Sequence, residues 1–349
     1  MKKIAHLPHE LGFRMPAEWE LHEATWMVWP HQRSSWQGRD RLERVRKRLL
    51  DIFEVLLNDE KVNLLVQNQA EKIDIQKQLK DRGGPFKRLQ FYLISTADVW
   101  IRDYGPIFIR NPEGRKAWVK WQFNAWGRKY PERLKDNQVF SPRRPFFRMP
   151  CYFPDQVLEG GAIDVNGEGE GLTTESCLLH PNRNPGFSKR EIEISLRQYL
   201  GIRNIVWLSG GIAGDDTDGH VDNLARFVSK DTILAAYEKK TADENYEPLR
   251  KNWRRLKAAS LRRTRPYELV KLPMPGRVMH GRTRLPASYA NFYIANQVVL
   301  LPVFEDPQDD KAIQIIKEHF PKKRIVPIPA RDIVFGLGTI HCLTQQEPK

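Results

Sequence analysis

Leu224-Ala225-Arg226-Phe227-Val228, Ser229-Lys230-Asp231 and Thr232-Ile233-Leu234-Ala235-Ala236 read in succession as an apolar strand, a polar turn and a second apolar strand. That is the pattern of a β-hairpin. Helically spaced apolar residues follow over Tyr246 to Leu261, then a further strand-like run over Tyr267 to Leu272. The order hairpin, helix, strand is not the alternation of a dinucleotide-binding sheet, and it recurs. Gly161 to Val165 and Leu172 to Leu179 flank a Gly/Asn/Glu turn and precede a helix over Ser188 to Tyr199 and a strand over Asn204 to Leu208. Tyr289 to Ile294 and Val298 to Leu301 flank Asn296-Gln297 and precede a helix over Asp309 to His319 and a strand over Arg324 to Ile328. Ile107 to Arg110 and Ala117 to Phe123 flank Asn111-Pro112-Glu113-Gly114, but the Arg- and Pro-rich stretch after them, Gly127 to Pro154, reads as a loop excursion. Upstream lie a strand over Thr25 to Trp29, an amphipathic helix over Asp40 to Asn58 and a strand over Val62 to Gln67. A helix over Ala70 to Lys80, stopped by Gly83-Gly84-Pro85, and a strand over Leu89 to Ile94 complete the first part. Repeats of this size suggest a radial or solenoid array, and radial closure protects sheet edges. No low-complexity linker interrupts the chain, so residues 1–349 are read as one α/β domain.

The totals narrow the function. At 40% hydrophobic residues and a mean hydropathy of −0.58 the chain is too polar for a membrane protein, and no apolar run approaches the length of a spanning helix. The first residues lack the apolar segment of a signal peptide, and three cysteines do not make a disulfide framework, so a cytoplasmic protein with reduced thiols is expected. The net charge of +14 raises the question of a nucleic-acid partner. The basic residues gather in Arg41 to Arg48, Arg143 to Arg148 and Arg250 to Arg265, and the first and last of these read as solvated helix faces. No nucleic-acid-binding motif accompanies them, so no such partner is expected. The oligomeric state stays open, a homo-oligomer included.

Each hairpin is entered through a polar motif. Trp100-Ile101-Arg102-Asp103-Tyr104-Gly105-Pro106 precedes the first and Glu159-Gly160-Gly161 the second. Asp215-Asp216-Thr217-Asp218-Gly219-His220-Val221-Asp222 precedes the third, and Ala287-Ser288-Tyr289-Ala290-Asn291 opens the fourth. The last coherent stretch, Phe335 to Gln346, carries a Gly336-Leu337-Gly338 turn leading into a small strand with His341-Cys342. If the units are related by rotation, Cys342, His220, Asp103, Asp222 and Glu159 surround one cavity. Cys342 is then the candidate nucleophile and His220 the proton carrier. Asp103 and Asp222 suit the planar donor fork of a guanidinium, so a small cation is the expected substrate. A metal reading exists for the Asp215 to Asp222 run, where His220 and Asp222 would share a strand face, but no second His cluster supports it. Cys151 and Cys177 read as packing residues. His341, adjacent to Cys342 on a strand, should face the opposite side and be structural.

With these stretches go Met15 to Glu20, Phe123-Asn124-Ala125-Trp126-Gly127, Asn182-Arg183-Asn184-Pro185 and Leu285 to Tyr293. Taken together, in this order, they resemble the agmatine deiminases, in the family shared with bacterial-type peptidylarginine deiminases. The resemblance implies the guanidino-modifying pentein fold, an α/β propeller of five pseudo-symmetric ββαβ units around a central site. It also implies hydrolysis of agmatine to N-carbamoylputrescine and ammonia through a covalent Cys thiouronium, in putrescine and polyamine biosynthesis, with no cofactor and no metal. Peptidyl- or free arginine is the alternative substrate. The implied roles are nucleophile for Cys342, general acid/base for His220, guanidinium clamp for Asp103 and Asp222, and orienting acid for Glu159. Trp100 and Asp216 match far-end contacts, Asp216 for the substrate's amine, whereas Arg143, Arg144 and Arg148 would favour a carboxylate if their loop covers the mouth. Leu337 and Thr339 depart from the Gly-Gly-Gly-Asn that many members carry before Ile-His-Cys, and the basic segment Phe140 to Met149 is unusual for the family.

Overall fold

The computed structural model describes residues 6–83, 87–141 and 149–349; Gly84, Pro85, Arg143, Arg144 and Arg148 lie outside them. Five sheets of one recurring topology form, together with a two-stranded ribbon at Met279–His280 and Thr283–Arg284. In each sheet a middle strand pairs antiparallel on one side and parallel on the other. Ala225–Phe227 pairs antiparallel with Thr232–Tyr237, which pairs parallel with Glu268–Pro273 after the helix Tyr246–Leu261. The same holds for Asp164–Val165, Glu170–Thr174 and Asn204–Leu208 around the helix Lys189–Leu200. It holds again for Tyr293–Ile294, Val298–Val303 and Arg324–Pro329 around the helix Asp309–His319. Parallel partners need a crossover, and the amphipathic helices supply it. Each sheet remains separate, and no sheet closes on itself among the described residues.

The first sheet shows how the chain ends meet. His22–Val28 and Lys61–Val66 pair parallel across the helix Arg41–Leu56, and Leu89–Leu93 adds a further parallel strand after Gln69–Asp81. The antiparallel place beside His22–Val28 is taken by Gln345–Pro348 from the end of the chain. That pairing pins the segment before it, which carries Cys342.

The helices follow the apolar period closely: Leu42, Val45, Leu49, Phe53 and Leu56 are all buried on one face of Arg41–Leu56. A capping box between Ser188 and Glu191 starts Lys189–Leu200, and Gly201 at φ 71° ends it. Among the described residues, no helix is long and apolar enough to cross a membrane.

The strands depart from expectation at several points; Gly161 to Val165 begins within the 3-10 helix Gly160–Ala162 and is strand only at Asp164–Val165, and Ala117 to Phe123 is strand only as far as Val119. Gly127 to Pro154 is not only a loop: it holds a 3-10 helix, Pro131–Gln138, and the strand Cys151–Tyr152, which pairs parallel with Lys116–Val119 and completes the second sheet. The run Leu172 to Leu179 stops being a strand at Thr174, whose hydroxyl accepts from Cys177 N and caps the helix Glu175–Leu178. Of Tyr289 to Ile294 only the last two residues pair, because Ser288 and Asn291 turn to Asn223 instead. Cys342 lies in a turn after the 3-10 helix Ile333–Gly336, not on a strand.

Candidate active site

The loops that enter the sheets meet in a narrow pocket lined by Trp100, Asp103, Asp216, Asn223, Leu337 and Cys342, with Trp126 and Arg133. Asp103 sits on the short helix Ile101–Tyr104. Its Oδ2 accepts from Trp126 Nε1 at 2.9 Å and its Oδ1 from Gly161 N at 3.1 Å. Burial raises its pKa to about 6, opposed by His220 and reinforced by Asp222 and Glu159. Asp222 belongs to the 3-10 turn Val221–Asn223 and is fully buried. Burial pushes its carboxyl up, but the bond and charge of His341 outweigh that, and the group lies below the ordinary range. Its Oδ2 receives His341 Nδ1 at 2.8 Å, while its Oδ1 has no hydrogen-bond partner among the described residues.

Gly161 explains why three groups can face one point. A Cβ there would lie 2.6 Å from His220 Nδ1 and 3.0 Å from both Asp103 Oδ1 and Asp222 Oδ2. The absent side chain is therefore the space into which an imidazole and two carboxylates converge. His220 Nδ1 is 3.7 Å from Asp103 Oδ1, and its pKa stands well above the ordinary value: burial lowers it, but Asp103, Cys177 and Glu159 prevail.

Cys342 Sγ lies 3.6 Å from Asp222 Oδ2 and 3.3 Å from Asn291 Nδ2. Burial and then the charges of Asp222 and Asp103 push its thiol well up. The sulfur is therefore held as a thiol beside two carboxylates. A bound cation between those carboxylates removes the repulsion, which is the physical condition for forming the thiolate.

Glu159 is fully buried and its Oε1 accepts from Arg183 Nε at 2.7 Å. Arg183 also donates to Asp218 Oδ2 at 2.8 Å and to Thr217 O at 3.1 Å, so one guanidinium fixes both Glu159 and the loop that carries His220. The helix Glu175–Leu178 grips the same loop: Thr174 Oγ1 donates to Gly219 O and Ser176 Oγ to Asp218 O, each at 2.6 Å. Cys177, expected only to pack, joins Glu159 and His220 in a buried cluster whose ligand-type atoms lie within 4.8 Å of one another. Arg183 already brings a positive charge to that cluster, so a metal ion there would meet a resident cation. The Asp215 to Asp222 run does not gather on a strand face: Asp215 turns to Thr217, Asp216 to Tyr130, and Asp218 to Lys129 and Arg183.

Trp100 and the Gly336-Leu337-Gly338 turn also belong together. A Cβ on Gly336 would lie 2.7 Å from the Trp100 ring and one on Gly338 2.6 Å from it, so both glycines let the loop lie against the indole. Leu337 between them adopts φ 71° and lines the pocket. Asp216 is on the rim, held by the Tyr130 hydroxyl, and Lys129 Nζ bonds its carbonyl at 2.5 Å. Arg133 lines the same wall, paired with Asp98 at 3.0 Å and lying 4.4 Å over the Tyr130 ring.

All seven residues singled out from the sequence are thus in or directly behind one pocket. His341 is the correction: because its segment turns, it does not face away from Cys342, and both residues touch Asp222 Oδ2. Asn291, Trp126, Gly161 and Arg183 were visible only as parts of recurrent motifs. Their roles come from contacts that no local pattern encodes.

Known proteins resemble this chain in sequence and in fold. The profile of the Porphyromonas-type peptidyl-arginine deiminase family matches residues 14–348. An agmatine deiminase of Pseudomonas aeruginosa is 36% identical over 371 aligned positions, covering 100% of this chain and 99% of that protein. The structure of the agmatine deiminase of Enterococcus faecalis superposes with a TM-score of 0.89 at 31% identity, covering 99% of each chain. A C. jejuni agmatine deiminase solved with substrate bound gives 0.86 at 33% identity, covering 97% of this chain and 96% of that one.

Proposed function

The chain belongs to the Porphyromonas-type peptidyl-arginine deiminase family and has the pentein α/β fold, and from that premise we infer that it is an agmatine deiminase. It hydrolyses agmatine to N-carbamoylputrescine and ammonia, a step in putrescine formation. The observation that carries the reading is the convergence of His220, Asp103 and Asp222 on the side-chain space of Gly161, with the Cys342 sulfur 3.6 Å from Asp222. We take the whole chain to act as one catalytic domain, its five sheets arranged around this site as a propeller. We also place it in the cytoplasm, where Cys342 stays reduced, and assign its basic helix faces to solvent rather than to a nucleic acid.

In the proposed mechanism the guanidinium of agmatine lies between Asp103 and Asp222, with its amine directed to Asp216 and its chain along Trp100. The cation offsets the two carboxylates and the Cys342 thiol releases its proton to solvent, from which the thiol is restored once the product has left. The sulfur attacks the central carbon. His220, as the imidazolium, gives a proton to one amino group; the C–N bond breaks, ammonia leaves, and a thiouronium remains on Cys342. The now neutral His220 takes a proton from water and the hydroxide adds to the same carbon. The C–S bond breaks, the thiolate returns, and the hydroxyl proton passes to solvent as the ureido product forms. Glu159 and Arg183 hold His220 in place throughout.

The test is to incubate the protein with agmatine, free arginine and an arginine peptide, measuring ureido product and ammonia. Turnover of agmatine, with only background in Cys342→Ala, is expected, and His220→Ala should slow turnover by roughly 10²–10⁴-fold. Undiminished product from Cys342→Ala overturns the mechanism. A preference for arginine overturns the substrate and points instead to the cation of Arg133 on the pocket wall.

A further inference from the structure

Leu337 is a bulky residue in a backbone state that bulky residues avoid. It stands at φ 71° and ψ 16°, where a Cβ crowds the chain's own carbonyl and glycine is at ease. Strain of this kind persists only where the surroundings hold it, and it gathers at functional sites. Both ends of the turn are held. Leu337 N donates to Val334 O at 2.9 Å, and the Thr339 hydroxyl donates to Asn291 Oδ1 at 2.7 Å. Gly336 and Gly338 lie so close to Trp100 that a Cβ on either would come within 2.7 Å of its ring, and the Trp36 ring is 3.1 Å from the same point on Gly336. The backbone therefore has no room to withdraw toward those indoles, and the Leu337 side chain is what the turn presents to the pocket it lines. That side chain packs against the apolar cluster containing Leu285 and Val334. It is half-buried, as Asp216 on the rim is, whereas Gly336, Gly338 and Cys342 are buried. Leu337 thus belongs to the mouth of the pocket and not to its floor.

We propose that Leu337 is a specificity-determining residue: it narrows the mouth so that the pocket takes a guanidine whose amine-bearing carbon is unbranched and excludes, by size, one that carries a carboxamide there. This rests on the deiminase reading and assigns the exclusion to a residue. Charge alone does not achieve it. Agmatine is arginine without its carboxyl group. Free arginine brings a carboxylate toward Asp216 and is repelled. Arginine amide brings no such charge: it offers the same ammonium to Asp216 and the same guanidinium to Asp103 and Asp222, so these three carboxylates do not tell it from agmatine. Only the added carboxamide differs, and it needs room beside the ammonium. A site rejects a close analogue by occupying the space that the analogue requires. A glycine at position 337 would meet the backbone's demand without strain, so the side chain is what the strain supports. The departure of Leu337 from the glycine that many family members carry acquires a function in this way.

The test compares kcat/KM for agmatine, arginine amide and free arginine in the wild type, Leu337→Ala and Leu337→Gly. Glycine suits the left-handed backbone, so Leu337→Gly should unfold at a higher temperature than Leu337→Ala and carries the test should the alanine variant fail to fold. The ratio of arginine amide to agmatine should rise about tenfold or more in both variants. The ratio of free arginine to agmatine should rise less, because Asp216 still opposes the carboxylate. A merely structural role predicts that kcat/KM falls by a like factor for all three compounds and that the ratios stay put. An unmoved arginine amide ratio in Leu337→Gly overturns the proposal. So does an equal rise for free arginine, and so does a wild type that takes arginine amide as readily as agmatine. Absence of ureido product from the wild type with all three compounds removes the deiminase reading, and this proposal with it, before any variant is made.

Discussion

Asp103 has a task at each of its oxygens: Trp126 and Gly161 hold them by N–H donors, and His220 stands 3.7 Å from one of them. Clamping a guanidinium requires the ionised carboxylate, and burial has raised its pKa to about 6. Above that value the group carries the charge that the proposed clamp requires, and it loses that charge as pH falls through it. The kcat/KM for agmatine should therefore fall about tenfold per unit below about pH 6. The indole N–H favours the charged form, so Trp126→Phe, which keeps an aromatic ring and loses the donor, should move that acid limb to higher pH. A pH–rate profile of the variant with its limb unmoved would show that the bond does not tune Asp103. The contrast with what the sequence displays is instructive. Asp103, Glu159, His220 and Asp222 could be picked out because each stands at the mouth of a repeated hairpin, and Cys342 because it follows the Gly336-Leu337-Gly338 turn. Trp126 and Asn291 could not, because an indole N–H and an amide acquire meaning only from what the fold brings to them.

Residues 124–128 form an unusual element. Ala125, Trp126, Gly127 and Arg128 all adopt left-handed backbone, with φ between 53° and 81°. Non-glycine residues resist this by about 1–2 kcal/mol each, so the turn persists only because its surroundings hold it. Asn124 Oδ1 accepts from Gly127 N, Arg128 N bonds Asn124 O at 2.7 Å, and Asn124 Nδ2 reaches Asn182 O at 2.8 Å. The result swings the Trp126 indole onto Asp103 and brings Gly127 against the residues behind the site. A Cβ on Gly127 would lie 2.1 Å from Asn182 Nδ2 and 2.6 Å from Arg183 Nη1. Gly127→Ala should therefore destabilise the protein by about 1–3 kcal/mol. It should also lower kcat/KM, because Arg183 is what holds Glu159 and the His220 loop. Urea unfolding and steady-state kinetics would measure both, and a variant unchanged in either would contradict the account. Elements of this kind were the least legible. The long helices announce themselves by period, as Arg41–Leu56 does, whereas Cys151–Tyr152 has only two residues and is a strand solely because Lys116–Val119 lies beside it. Likewise Leu172 to Leu179 reads as a strand, although Thr174, an N-cap type of residue, ends the strand and caps a helix within it.

Across the whole molecule the repeat was legible but its centre was not. Glu18, in an irregular segment with no period to mark it, joins parts of the chain that the topology keeps separate. Its Oε1 takes Arg226 Nη2 and Ile294 N, each at 2.8 Å, and its Oε2 takes His341 Nε2 at 2.8 Å and Arg102 Nη2 at 3.3 Å. Arg226 continues to Asp164 at 2.7 Å, and Arg102 to Gln346 at 2.7 Å. Residues from all five sheets or the loops entering them thus meet in one buried ionic knot, and His341 carries its orientation onward to Asp222. Burial alone would raise the Glu18 carboxyl, but Arg226, His341 and Arg102 outweigh it and hold it well below the ordinary range. Its folded pKa is depressed, so its contribution to stability is fully present above the unfolded value of about 4.3 and is lost as pH falls through the folded value. Glu18→Gln keeps the shape and leaves two buried guanidinium groups short of a negative charge. It should cost about 3–5 kcal/mol in urea unfolding at neutral pH. The difference from wild type should shrink in acid below the unfolded value, since the native carboxylate there loses its own advantage. Activity should fall as well, because a released His341 no longer fixes Asp222 beside the Cys342 sulfur. A loss below 1 kcal/mol with unchanged kcat/KM would mean that packing of the five sheets, rather than this knot, holds the site together.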